Sequence, residues 1–131
     1  MTYNLTNLNI EGNNVGDNIV VKLCDTILER PVMKILNLSQ NMITNKGAWS
    51  LAELLKYSGT IEALYLKWNY IKWRGGVQII DAIRENTTLL ILEVSFNPLG
   101  ENKKPQIKEI TQKYEFDINM IDNQGASQLN Y

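Results

Sequence analysis

Apolar residues along the chain follow two alternating rhythms. In one, apolar positions stand two apart with polar residues between them: Leu8 and Ile10, Leu36 and Leu38, Leu64 and Leu66, Leu92 and Val94. That period of two predicts short strands with one face turned inward. In the other, apolar residues recur at helical spacing, as in Ala48, Leu51, Ala52, Leu54 and Leu55, and again in Val77, Ile79, Ile80, Ala82 and Ile83. A strand followed by a helix is therefore expected several times over.

The alternation is a true repeat. Leu5, Leu8, Ile10, Asn13 and Val15 align with Met33, Leu36, Leu38, Asn41 and Ile43. Ile61, Leu64, Leu66, Asn69 and Ile71 follow, and then Leu89, Leu92, Val94, Asn97 and Leu99. The asparagines at 13, 41, 69 and 97 are separated by three equal steps of 28. A fixed period of this length signals stacked supersecondary units. The pattern L-x-x-L-x-L-x-x-N-x-L resembles that of leucine-rich repeats, and the 28-residue step is similar to the ribonuclease-inhibitor-like class. The resemblance implies an α/β solenoid: parallel strands on a concave side, a full helix per repeat on the convex side, and four repeats near 5–32, 33–60, 61–88 and 89–114.

Each recurring position has a physical reason. Where the chain leaves a strand sharply, backbone groups lose their ladder partners, and a buried asparagine amide supplies donors and an acceptor. Asn13, Asn41, Asn69 and Asn97 are expected to form such a ladder. Gly47 and Gly75 occupy matching places near the helix starts, where a side chain is expected to crowd the neighbouring strand. Asp17, Asn45 and Glu101 share one column ahead of the helices, and the first two are expected to act as N-caps. Cys24 aligns with Ala52 and Ile80, inward positions, so burial is expected of it and redox chemistry is not.

The stack is lopsided. After Asn97 the pattern decays: Pro98 and Pro105 flank a charged helix bearing Lys103, Lys104, Lys108 and Lys113. A shorter step of 26 places Asn123 in the asparagine slot, with Ile118 and Met120 inward. Residues 115–123 are thus expected to form a degenerate capping strand, closing a domain of 1–123, with 124–131 as a tail. Only four residues stand before Leu5, so an open parallel edge is expected there. Either Asn4, Asn7 and Asn9 leave it wet, or another chain covers it.

Composition narrows the function. The 131 residues carry a formal net charge of −1, so no overall field favours nucleic acid or an anionic membrane. No apolar run is long enough to span a bilayer, and no signal-peptide pattern opens the chain. The one cysteine fits a reducing compartment, and the cytoplasm is the expected location. Asn4, Asn37 and Asn86 begin Asn-x-Ser/Thr triplets, which chance explains in a chain so rich in asparagine. With no histidine, histidine-based triads and metal sites are excluded. No C-x-x-C, phosphate loop or paired-carboxylate constellation is present, and no cofactor or small-molecule substrate is expected. Ran GTPase-activating proteins are built on a similar repeat, but their functional residues have no counterparts that can be placed here.

What remains is a binding surface. In the resembled architecture the outward strand residues line the contact face. Stacking the repeats gives the columns Asn7, Ile35, Ala63, Ile91; Asn9, Asn37, Tyr65, Glu93; Glu11, Ser39, Lys67, Ser95; and Gly12, Gln40, Trp68, Phe96. The last two repeats are the aromatic ones. Trp68 has two readings, as scaffold (an aromatic is common there in the resembled class) or as contact. Trp73 stands in the capping column, where it forfeits the cap and exposes a large ring beside Arg74, a combination favoured at interfaces. Trp49 aligns with Val21 and Val77 and is expected in the core or in helix packing. Tyr65, Lys67, Trp68, Tyr70, Trp73, Arg74, Ile91, Glu93 and Phe96 are therefore the expected partner-binding residues. Lys67, Lys72 and Arg74 among aromatics raise single-stranded nucleic acid, but Glu11, Glu62 and Glu93 on the same face oppose it. The expectation is a non-catalytic protein–protein interaction module, a subunit docked in a larger assembly. Segments like Trp68-Asn69-Tyr70-Ile71 occur in cytoskeletal and ciliary (axonemal) proteins, which suggests such a complex by analogy. The alternative is a free regulatory adaptor of a signalling protein or small GTPase.

Overall fold

The computed structural model describes residues 5–99. Their order is β1 (Asn7–Asn9), α1 (Asp17–Glu29), β2 (Ile35–Asn37), α2 (Asn45–Tyr57), β3 (Ala63–Tyr65), α3 (Trp73–Arg84) and β4 (Ile91–Glu93). The strands form one parallel sheet in chain order. The register keeps the sequence period without slip: Leu8 pairs with Leu36, Leu36 with Leu64, and Leu64 with Leu92. The expected capping strand at 115–123, the charged helix before it, Glu101 and the tail lie outside the described residues.

Three-residue strands carry few ladder bonds, so side-chain packing between sheet and helices holds the stack together. Leu36, Leu38, Leu64, Leu66 and Leu92 are fully buried against Leu51, Leu54, Leu55, Ile79 and Ile83. Each such side chain contributes about 1.5–3 kcal/mol relative to exposure. The first repeat is looser. Leu8 and Ile10 are only partly buried, and Leu5 and Ile19 are exposed.

The asparagines link repeats through their backbones. Asn69 donates to the carbonyls of Leu38 (3.0 Å), Leu66 (3.1 Å) and Lys67 (3.4 Å). Its Oδ1 accepts from the amides of Asn41 (3.2 Å) and Ile43 (3.1 Å). Asn41 does the same one repeat earlier, donating to Ile10, Leu38 and Ser39 and accepting from Asn13 and Val15. Asn97 donates to Leu66, Val94 and Ser95 and accepts from Ile71. Each amide thus satisfies its own turn and the turn before it. Asn13 differs: it is exposed, and its side chain donates to Glu11 alone (3.0 Å).

Two expectations about the helix starts are corrected. Neither Asp17 nor Asn45 caps its own helix, and the N-cap positions Gly16, Thr44 and Lys72 make no side-chain cap bond. The capping runs between repeats. Asp17 Oδ1 accepts from the amides of Thr44 (2.8 Å) and Gly47 (3.0 Å), which open α2, and Asp17 Oδ2 accepts from the Thr44 hydroxyl. Asn45 Oδ1 accepts from the Lys72 amide (2.8 Å) at the start of α3. Gly47 and Gly75 accordingly make room for these caps and not for a strand. A Cβ on Gly75 would lie 2.7 Å from Asn45 Oδ1 and 3.0 Å from Ala48 Cβ.

The segment after α3 carries a second inter-repeat clasp, which sequence reasoning missed. Asn86 donates to the carbonyl of Leu55 (2.7 Å) near the end of α2, and its Oδ1 accepts from Thr88 and Leu89. Ser58 and Thr60 stand 28 residues earlier, and there the Thr60 amide donates to Ser58 Oγ (3.2 Å). The matching polar pairs after α2 and α3 were the available signal.

Candidate functional site

The strand face changes character along the stack. In the first two repeats it is a polar network. The Glu11 carboxylate accepts from Asn37 Nδ2 and Gln40 Nε2, both at 3.1 Å. Ser39 and Ser95 are buried, so half of the column they share with Glu11 and Lys67 is closed to a partner. Ala63 is buried too, which leaves Asn7, Ile35 and Ile91 as the open residues of theirs. In the last two repeats the face becomes aromatic. Tyr65 is in register with Glu93, and Lys67 Nζ reaches Glu93 Oε1 at 4.0 Å. A partly exposed pair at that distance contributes little to stability.

The end of this face is built on unusual backbone. Gly12, Gln40, Trp68 and Phe96, one column, all have positive φ, between 56° and 73°. The chain turns there so that each amide can donate one repeat onward. Gly12 donates to Ser39 (3.0 Å), Gln40 to Lys67 (2.7 Å) and Trp68 to Ser95 (3.2 Å). Glycine enters this region freely, whereas large side chains rarely do. Trp68 and Phe96 nonetheless hold it, and their rings stack face to face, 4.4 Å between centroids and 4° between planes. Such a stack contributes about 0.5–1.5 kcal/mol. Two left-handed residues cost on the order of 1–3 kcal/mol each. Stacking therefore does not by itself justify two aromatics where Gly12 and Gln40 also serve.

Trp68 is 41% exposed and Tyr70 59% exposed. With Asn14, Gln40, Asn41 and Met42 they line an open cleft of about 670 Å³. Met42 is itself 52% exposed. Sequence reasoning passed over Met42 and Asn14, although they occupy the same column as Tyr70, immediately after the asparagine.

The structure divides the expected partner-binding residues into two groups. Tyr65, Lys67, Trp68, Tyr70, Ile91, Glu93 and Phe96 lie on strands and on the turns that leave them. Trp73 and Arg74 open α3 and line a groove among the helices. The Arg74 guanidinium covers the Trp73 ring at 4.8 Å from its centroid, and Trp73 is half-buried, not the exposed ring expected. Its column caps the following helix, so a tryptophan there leaves the cap of α3, supplied by Asn45, intact. Trp49 corrects the expectation of burial. It is 58% exposed and lines the same groove. Lys67, Lys72 and Arg74 do not form one basic track: they stand on a strand face, at a helix N-cap and in the helix groove respectively.

The model of the family described as "Leucine Rich repeat" matches residues 4–24, 31–52 and 85–101. The four-stranded parallel sheet with its 28-residue register agrees with it. The chain is a leucine-rich repeat protein. Solved leucine-rich repeat structures share the fold. That of leiomodin-1 actin-binding site 2 (ABS2) is 24% identical, with a TM-score of 0.70 over 79% of this chain. The tropomodulin C-terminal domain of Caenorhabditis elegans is 16% identical, with a TM-score of 0.56, covering 85% of this chain and 84% of its own. This repeat protein spans 62% of the leiomodin-1 structure. No curated protein matches it.

The remaining chemistry of the repeat domain is quiet. Cys24 is buried, and its thiol is pushed up to about 12, first by burial and then by the neighbouring Asp25 carboxylate. Among the described residues no cluster of three or more histidine, cysteine or acidic side chains is placed to hold a metal ion. No described helix is long and apolar enough to cross a membrane.

Proposed function

We propose that this leucine-rich repeat protein is a non-catalytic protein–protein interaction module that engages a cytoskeletal partner, actin being the first candidate. Tyr65, Lys67, Trp68, Tyr70, Ile91, Glu93 and Phe96 form the contact face. The Trp68–Phe96 stack carries the reading: two large rings are kept in left-handed backbone at the end of the strand face, Trp68 exposed and Phe96 half-buried, where the fold accepts glycine or glutamine. Rigid aromatic area of this kind anchors protein interfaces at low entropic cost. The cytoskeletal assignment is supported by the shared fold with leiomodin-1 actin-binding site 2 and the tropomodulin domain. The open cleft beside Trp68, Met42 and Tyr70 receives an apolar side chain of the partner, while Lys67 and Glu93 set its polar register.

Co-sedimentation with filamentous actin and gel filtration with monomeric actin test this directly. Binding is expected for the wild type and at least tenfold weaker binding for a Trp68→Gly/Phe96→Gly variant that melts like the wild type. Equal binding by the two proteins refutes the contact face, and no binding to either form of actin refutes the candidate partner.

A further inference from the structure

The helix side carries a second surface, distinct from the strand face. Trp49 projects from α2 at 58% exposure, in a row with Val21 of α1 and Val77 of α3, the residues 28 places before and after it. These three, with Trp73 and Gln78, line an open groove of about 620 Å³ that crosses all three helices. The fold does not require an indole here, since valine serves in both flanking repeats. Leaving a tryptophan in water forgoes the burial that would otherwise make it stabilising.

Charge gives the groove a direction. The charged residues lining it are Lys46 and Arg74, in the first turns of α2 and α3. Lys46 Nζ bonds the neutral Asn18 carboxamide (3.3 Å), so its charge is not cancelled there. Arg74 holds its charge over the Trp73 ring. One helical turn beyond Val21, Trp49 and Val77 stand Asp25, Glu53 and Asp81, all exposed and again 28 residues apart. Residues four apart share a helix face, so an acidic row borders the apolar row. Asp81 is tied to Arg84 at 3.0 Å, which leaves Asp25 and Glu53 as the principal negative charges. The surface thus reads basic, apolar, acidic from the helix starts onward.

We propose that this groove docks a peptide segment of a partner protein in which a bulky apolar residue is flanked by an acid on one side and a base on the other. The apolar residue packs on Trp49 and Trp73, the acid faces Lys46 and Arg74, and the base faces Asp25 and Glu53. Complementary charge fixes the orientation, and buried aromatic contact supplies the affinity.

The test is selection of a random twelve-residue peptide library on the full chain, with selected peptides then measured by fluorescence polarisation. The expected consensus is an aromatic or aliphatic residue between opposite charges. Trp49→Ser, Arg74→Glu and Glu53→Lys should each weaken binding at least tenfold. All three positions are exposed, so thermal melts should match the wild type, and a variant that melts lower is replaced in the comparison by the other two. Selected peptides insensitive to all three substitutions, or carrying no opposed charges, overturn the proposal. So does sedimentation showing a dimer that Trp49→Ser dissociates, because the occupant is then a second copy of the chain.

Discussion

Asp17 and Gly47 are fitted to one another across two repeats. The Gly47 amide donates to Asp17 Oδ1 at 3.0 Å, and a Cβ on Gly47 would stand 2.5 Å from that same oxygen. The carboxylate fills the space that glycine leaves, and it satisfies amides at the α2 N-terminus that no intrahelical carbonyl can reach. A helix cap has here become a joint between repeats.

That joint predicts a paired effect. Asp17→Ala should cost about 0.5–2 kcal/mol, the usual range for a lost cap. Gly47→Ala should cost about 1–3 kcal/mol, because the methyl meets both Asp17 and Ile43 Cγ2, the latter at 2.8 Å. The two should be strongly non-additive, since the double variant relieves the clash with Asp17 that the single one creates. Urea unfolding of the four proteins checks this, and simple additivity would contradict the joint.

The asparagine ladder should be graded along its length. Asn69 makes five hydrogen bonds to buried or half-buried backbone, so Asn69→Ala should cost at least roughly 1–3 kcal/mol. Asn13, exposed and donating once, should cost no more than about 0.5 kcal/mol when replaced by alanine. Equal midpoint shifts for the two variants would show that the ladder does not act through its inter-repeat bonds.

Trp68→Gly should separate stability from binding. It removes a stack contributing about 0.5–1.5 kcal/mol and also relieves a left-handed tryptophan. The net change in unfolding free energy is expected to stay within about 1 kcal/mol, while partner affinity falls. A loss of several kcal/mol would assign Trp68 to the scaffold.

Cys24 makes the folded state sensitive to alkali. Its thiol stays protonated in the fold up to about pH 12, whereas in the unfolded chain it ionises near the ordinary value of 9.0. The unfolded state therefore releases its proton first as pH rises, and this thiol's contribution to stability, complete below pH 9, is lost progressively between 9 and 12. Cys24→Ala should flatten the fall in stability over that range. Thiol-reactive reagents should label the wild type only as it unfolds.

Much of the architecture was legible in the chain. The strand pairing of Leu8, Leu36, Leu64 and Leu92, the inward helix residues and the burial of Cys24 all follow from one period, because stacking by a constant translation turns sequence spacing directly into neighbours in space. Periodicity also located the aromatic end of the strand face. It could not place Trp49. Alignment with Val21 and Val77 reads as burial, yet a groove between helices holds a valine and leaves a larger indole standing out of it.

Tertiary structure alone decided three things about this protein. It assigned the caps of Asp17 and Asn45 to the next helix, because the open amides of one repeat lie closer to the preceding side chain than to their own. It parted Trp68 from Trp73, five residues apart in sequence, by turning the chain from the strand face to the helix face between them. It also put Trp68 and Phe96 into left-handed backbone, a conformation set by where the turn must deliver its amide and not by the residue that occupies it. The sequence by itself determined the repeat and its register; the turns and side-chain sizes decided which residues that repeat leaves exposed to a partner.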